Sequence, residues 1–288
     1  MTHITPYNDD DGETRPERLP AGLPVSASFS DVAPYYDRLM ASVPYDYWAD
    51  YLDELFERHG IGPGTLLDVG CGTGLVTMQM AQRGYRCHGV DISQQMIELA
   101  RKNAAAAGVA IPYICQDAAE MAVPLRRFDA VISLFDSLNN IIEPVRLAMA
   151  FERMYAHLES PGILIFDVNA EYAFTSNMFS QRSTPLDGDL QYVWKSSYDR
   201  ETRLCTVDMS FVSSPSNAPK RIFKERHIQR AYGKEEINAM LTAAGFDMVW
   251  VYDAYTFKSA KRRSDRLFFV ASKGLTLRPT YANKTPSR

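Results

Sequence analysis

The chain has 288 residues and is 46% hydrophobic, enough to bury a sizeable core in one large domain or two small ones. Its net charge of −4 argues against a dedicated nucleic-acid binder, which carries a basic face. Cys71, Cys87, Cys115 and Cys205 form no C-x-x-C pair, no apolar run approaches the ~18 residues of a membrane span, and the first fifteen residues lack a signal peptide's apolar core. These features predict a soluble, cytoplasmic protein with reduced thiols and no metal site.

Residues 1–28, rich in Pro, Gly, Asp and Glu, read as a disordered tail. Order is expected from Phe29. Tyr45, Tyr47, Trp48, Tyr51 and Leu52 then recur near helical spacing into Leu55-Phe56. Leu66-Leu67-Asp68-Val69 reads as a buried strand that ends in an acid and opens into Gly70-Cys71-Gly72-Thr73-Gly74, with a helix from Leu75. Alternating glycines let the backbone turn sharply and bring N–H groups close to a ligand. A helix N-terminus behind them favours a negative group. The set makes a nucleotide cradle.

A second apolar run, 87–90, ends at Asp91, placed to accept two hydrogen bonds from ribose hydroxyls. Ser93 reads as the cap of a helix over about 94–107, with Met96, Leu99 and Ala100 on one face and Gly108 as its stop. Residues 111–118 form a short strand ending in Asp117, and 128–135 a strand apolar enough to be buried on both faces. A helix over 144–157 and a strand over 162–169 follow. Repeated alternation of strand and helix predicts an α/β fold, a doubly wound and mostly parallel Rossmann-like sheet.

From Ala170 to Tyr232 the pattern changes. Runs at 190–195, 203–212 and 221–232, separated by polar turns, predict an inserted antiparallel meander. It is expected over the carboxyl ends of the parallel sheet, as a substrate lid. A helix over 233–246 and a closing strand pair at 249–252 and 266–273 return to the parent fold. The predicted organisation is therefore a domain over 29–169 and 233–273, an insert over 170–232, and a C-terminal tail over 274–288.

The block Asp68-Val69-Gly70-Cys71-Gly72-Thr73-Gly74, followed by Gly89-Val90-Asp91-Ile92-Ser93, resembles the class I S-adenosylmethionine (SAM) dependent methyltransferases. Phe128-Asp129-Ala130-Val131, Phe135-Asp136-Ser137-Leu138-Asn139, the run 225–232 and Ala244-Gly245-Phe246 resemble a bacterial small-molecule subgroup carrying a β insert. The resemblance covers about residues 29–273. It implies SAM as cofactor and S-adenosyl-L-homocysteine (SAH) as product. It also implies that Asp68, Gly70, Cys71, Gly72 and Gly74 hold the amino-acid end, and that Asp91 holds the ribose. Asp117 would accept from the adenine amino group, Ala118 would donate its N–H to the ring, and Ile92, Met96, Leu134 and Phe135 would complete the wall. Asp136, Asn139 and Asn140 would lie under the methyl-transfer point, with Asn140 a departure from the aromatic common in the subgroup. Tyr36, Tyr45 and Trp48 either cover the cofactor, their faces suiting a sulfonium, or form helix core.

Methyl transfer is an in-line displacement, and a base is needed only if the acceptor must lose a proton. Period-two alternation places Glu225, His227 and Gln229 on one strand face and Arg226, Arg230 and Tyr232 on the other. His227 is a candidate general base or a strand hydrogen-bonding group. Arg230 and Tyr232 either bind a polar substrate or lie on an exposed sheet face. The expected acceptor is a small molecule methylated on N, O or C, with no nucleic-acid or membrane partner, in a monomer or homodimer. An NAD-dependent oxidoreductase, disfavoured by the G-x-G-x-G spacing, and a SAM-binding protein without methyl transfer, such as a cyclase, remain the competing readings.

Overall fold

The computed structural model describes residues 25–26, 28–124, 127–182, 189–217 and 219–274. Of the two expected tails, residues 1–24 and 275–288 lie outside the described residues. Val25–Ser26, expected within the first tail, instead forms a short strand, β1. Helix α1 spans Ala33–Leu39 and α2 spans Tyr45–Arg58. Then come β2 (Thr65–Val69), α3 (Leu75–Gln82), β3 (Arg86–Asp91), α4 (Gln94–Ala106), β4 (Tyr113–Cys115) and β5 (Phe128–Ser133). A 3₁₀ turn at Ser137–Asn140 leads to α5 (Pro144–His157) and β6 (Leu158–Asn169).

Seven strands form the main sheet, in the order β11-β12-β6-β5-β2-β3-β4. Here β11 is Met248–Asp253 and β12 is Arg266–Lys273; β12 runs antiparallel to both of its neighbours. The remaining pairings are parallel. The first long strand, β2, lies inside the sheet with β3 on one side and β5 on the other, so strand order reverses at its tip. Ligands bind at such reversals in open α/β sheets.

Successive core residues face opposite layers, as a strand buried on both faces requires. On β6, Ile163 and Ile165 pack with α2 and α3, while Leu164, Phe166 and Val168 pack with α5. The second layer also takes Ile237 and Leu241 of α7 (Lys234–Ala244). Ser93 caps α4 as expected, accepting from Met96 N at 3.3 Å.

The stretch expected to form a meander is a separate sheet, ordered β1-β10-β9-β8-β7. Its long strands are β8 (Leu190–Asp199), β9 (Leu204–Ser213) and β10 (Arg221–Arg230), all antiparallel. Before them come a short helix, α6 (Glu171–Thr175), and a two-residue strand, β7 (Gln181–Arg182). The first strand runs four residues beyond its expected end, because the polar residues 196–199 still pair across to β9. One apolar face of this sheet, including Val207, Phe211 and Phe223, packs on Val32, Tyr35 and Leu39 around α1. Helix α1 therefore lies between the insert sheet and the parent domain. No helix among the described residues is long and apolar enough to cross a membrane.

Candidate active site

A cavity of about 390 Å³ opens at the carboxyl ends of β2, β3 and β5. The glycine turn forms its floor. Gly70, Gly72 and Gly74 all have left-handed backbones, with φ of 74°, 54° and 79°. At Gly70 the reason is also space: a Cβ would lie 2.7 Å from Ser137 Cβ. Gly74, expected to touch the cofactor, does not line the cavity. It caps α3, and a Cβ there would strike the Tyr113 hydroxyl at 2.4 Å, so packing rather than ligand contact requires it.

Three strand-tip carboxylates reach the cavity. Asp68 is buried, and Thr77 Oγ1 donates to it at 2.6 Å. Burial pushes its carboxyl up to about 7, against the Thr77 hydrogen bond and with the Asp91 charge adding to the rise. Asp91 accepts from Gly72 N at 2.9 Å and Ser93 N at 2.8 Å. Burial raises its carboxyl too, opposed by those amides. Each oxygen keeps a lone pair for a ribose hydroxyl. Asp117 accepts from Ala119 N at 2.8 Å and pairs with Arg146 at 2.8 Å. Cys71, Ile92, Met96, Ala118, Leu134 and Phe135 line the same cavity, as does Tyr45.

Beyond the tip of β5 the backbone is strained. Phe135 and Asp136 are consecutive non-glycine residues with φ of 56° and 51°. The strain is held by a buried network. Asp136 N donates to Asp167 Oδ2 at 3.0 Å, and Arg266 bonds both Asp136, at 2.8 Å, and Asp167. Gln229 Nε2 donates to the remaining Asp136 oxygen at 2.7 Å. Burial raises the Asp167 carboxyl to about 6 despite the Arg266 charge. Burial would lower the Arg266 guanidinium, but Asp167 and Asp136 outweigh it and hold it well above its ordinary value.

This network bears on three assignments. Asp136 was expected to bind substrate, but both its oxygens are already engaged. Asn139, likewise expected there, is fully buried; its Nδ2 donates to Asn169 O and Arg230 O, and its Oδ1 accepts from Asn169 N. It staples the 3₁₀ turn to β6 and β10. Asn140 does line the cavity, and its buried Oδ1 has no partner.

The insert residues expected to be catalytic lie off the cavity. His227 Nε2 is 2.8 Å from Glu225 Oε2, and its ring sits against Phe29 with centroids 4.4 Å apart. Arg230 pairs with Glu236 at 3.3 Å, and the Tyr232 hydroxyl donates to Ile141 O. Among the described residues lining the cavity, Ile228 alone comes from the insert. The segment 28–36 occupies the intervening space instead, and Ser28, Phe29 and Tyr36 form that wall. Burial pushes the Tyr36 hydroxyl well above its ordinary value, and the nearby Tyr45, Asp136, Asp91 and Asp37 add to the effect. Trp48, the other aromatic expected over the cofactor, is buried behind Phe135, stacked with centroids 4.0 Å apart.

Arg146, Phe29 and Arg266 escaped the sequence reading. Arg146 sits two residues past a helix start, where an arginine carries no signal. Phe29 fell at the edge of the presumed tail. Arg266 opens a strand 130 residues from its partner Asp136.

A family profile described as a methyltransferase domain matches residues 66–162. A Geobacillus sp. (strain WCH70) protein named as a methyltransferase is 30% identical over 247 residues, 85% of this chain and 100% of the relative. The Bacillus subtilis (strain 168) protein YqeM, also named as a methyltransferase, is 30% identical over 249 residues, 86% of this chain and 98% of its own length. The crystal structure of a SAM-dependent methyltransferase from Clostridium acetobutylicum ATCC 824 superposes with a TM-score of 0.74 at 26% identity, covering 84% of this chain and 96% of that one.

Proposed function

We propose, from the premise that this chain belongs to the class I SAM-dependent methyltransferases, that the cavity binds SAM and that the transferred methyl goes to a small-molecule N, O or C acceptor. The residues fit such a cofactor. A Cβ on Gly72 would meet nothing within 4 Å, so the turn leaves open space above it. Ser133 Oγ, buried among the lining residues, has no hydrogen-bond partner. Asp68 and the glycine turn would take the amino-acid end, Asp91 the ribose, and Asp117 with Ala118 the adenine. When bound, SAM supplies an electrophilic methyl on a sulfonium.

The observation that carries this reading is the pair of strand-tip carboxylates, Asp68 and Asp91, flanking left-handed glycines around one cavity. The walls orient and exclude water rather than exchange protons. Asp136 already accepts from Arg266 and Gln229, and His227 Nε2 is engaged with Glu225. Burial raises the Tyr36 and Tyr45 hydroxyls, which suits them to orient an acceptor by hydrogen bonding. Holding two reactants in line supplies roughly 7–11 kcal/mol without a base. A neutral amine can attack under those conditions; a hydroxyl or carbon acceptor must arrive already acidic.

Calorimetry with SAM and SAH, followed by SAH release across a panel of small amines, phenols and acidic carbon compounds, tests the reading. Micromolar SAH binding and acceptor-dependent SAH release support it. Absence of binding heat from both ligands would overturn it.

A further inference from the structure

Residues 28–39 touch the insert on one side and the glycine turn on the other. On the insert side, Glu225 of β10 is 1% exposed and accepts from the amides of Phe29 at 3.0 Å, Ser30 at 3.1 Å and Val32 at 2.7 Å. Backbone amides converging on one carboxylate form a nest, and the bonds are charge-assisted. His227 supports the same carboxylate from the strand. On the other side, Asp37 accepts from Thr73 Oγ1 at 2.5 Å and from Asn103 Nδ2 at 2.9 Å, which joins α1 to the glycine turn and to α4. Ser93, next to the Asp91 strand tip, donates to Phe29 O at 3.0 Å. Between these anchors, Phe29 and Tyr36 line the cavity.

We propose that Glu225 is a positioning residue for cofactor retention: it holds the strap 28–39 against the cavity, and exchange of SAH for SAM requires this hold to open. The proposal rests on the reading that the cavity binds SAM. Its physical basis is where the donors come from. A buried carboxylate is costly unless its lone pairs are satisfied. Among the described residues, the donors to Glu225 other than His227 all belong to the strap. Glu225 is therefore stable in two situations, bonded to the closed strap or solvated when the strap lifts. An apolar contact would lack that second stable state. A role for the insert also follows. It contributes Ile228 to the cavity wall, yet through Glu225 it controls the segment that forms much of it.

The test uses the full chain with two variants, Glu225→Gln and Asp37→Asn, one at each end of the strap. Glu225→Gln keeps the shape but turns an amide NH₂ toward backbone N–H donors. Amide hydrogen exchange of residues 29–37 in the cofactor-free protein should accelerate at least tenfold. SAH dissociation, followed by tryptophan fluorescence, should accelerate about tenfold with an association rate equal to or above that of the wild type. A merely structural lesion would slow association. Asp37→Asn should move both readouts in the same direction and decides the matter if Glu225→Gln does not fold. Unchanged strap exchange and SAH dissociation, in a wild type that binds SAH, would overturn the latch alone. A wild type that binds neither SAM nor SAH would overturn the functional reading and the retention role with it.

Discussion

Gln229 of the insert donates to the Asp136 carboxylate at 2.7 Å, joining the last insert strand to the strained tip of β5 across 93 residues of sequence. Asp136 also pairs with Arg266, so the bond is charge-assisted. Replacing Gln229 with Leu removes the donor and takes one partner from the Asp136 carboxylate. The expected loss of stability is about 1–3 kcal/mol. Because Asp136 fixes the backbone at the proposed acceptor end, turnover should fall several-fold while SAH affinity, set at the proposed cofactor end, stays within about twofold. Urea unfolding and calorimetry on the same variant separate the two effects. Equal losses of turnover and SAH affinity would contradict this division.

Arg266 is the cation that lets Asp136 and Asp167 coexist in the interior. Arg266→Met keeps the apolar packing but strands two carboxylates, a change that costs about 3–5 kcal/mol when one partner of a buried pair is removed. The pH dependence carries a sign. Without the guanidinium the Asp167 carboxyl rises further, so the folded variant binds more protons than its unfolded chain, and its stability is lost as pH rises. The variant should therefore recover part of its deficit between about pH 7 and pH 5. A deficit independent of pH over that range would show that the carboxylates are not the cause.

Asp68 offers a titration that can be read in binding. Its carboxyl, pushed up to about 7 by burial, is neutral in acid and ionised above neutrality in the cofactor-free protein. A ligand bearing an ammonium group favours the ionised form. SAH affinity should thus fall by up to about tenfold per pH unit below 7. Asp68→Asn should flatten that dependence and bind SAH at least tenfold more weakly at pH 8. The stability sign runs the opposite way: a raised carboxyl destabilises the empty fold as pH climbs from about 4 to 7, so the wild type should lose more melting temperature than Asp68→Asn over that interval. An SAH affinity flat from about pH 5.5 to 8 would refute the assignment.

The parent fold and the glycine-turn end of the cavity were legible because they are local. A strand, a glycine turn and a helix lie within twenty residues, and Asp68, Asp91 and Asp117 each end an apolar run. The end beyond the β5 tip was not, because its contacts are remote: Arg266 meets Asp136 and Asp167 across 130 and 99 residues, and Asn139 meets Arg230 across 91. Alternation on β10 grouped Glu225, His227 and Gln229 correctly, as their common burial shows. It could not tell that this face meets the strap and Asp136 instead of open cavity. Nor could the aromatic stripe 45–56 tell Tyr45, which reaches the cavity, from Trp48, which lies one layer behind it.

His227 separates the two views of the insert. As a general base it would touch the acceptor, and His227→Ala would slow the chemical step and remove a limb from the pH profile of turnover. Its position gives the opposite expectation. The imidazole meets Glu225 at 2.8 Å and the Phe29 ring at 4.4 Å between centroids, both outside the acceptor end. Removing it takes one donor from the carboxylate that holds residues 29–32 and opens a gap beside Phe29. His227→Ala should therefore raise the SAM concentration needed for half-maximal turnover about three- to tenfold, a loss of about 0.7–1.4 kcal/mol. Single-turnover methyl transfer at saturating SAM, with whichever acceptor the panel identifies, should keep its rate within about twofold and its pH profile unchanged. His227→Gln, which retains a donor toward Glu225, should recover most of the affinity. A tenfold drop in the single-turnover rate, not recovered in His227→Gln, would return His227 to the chemistry.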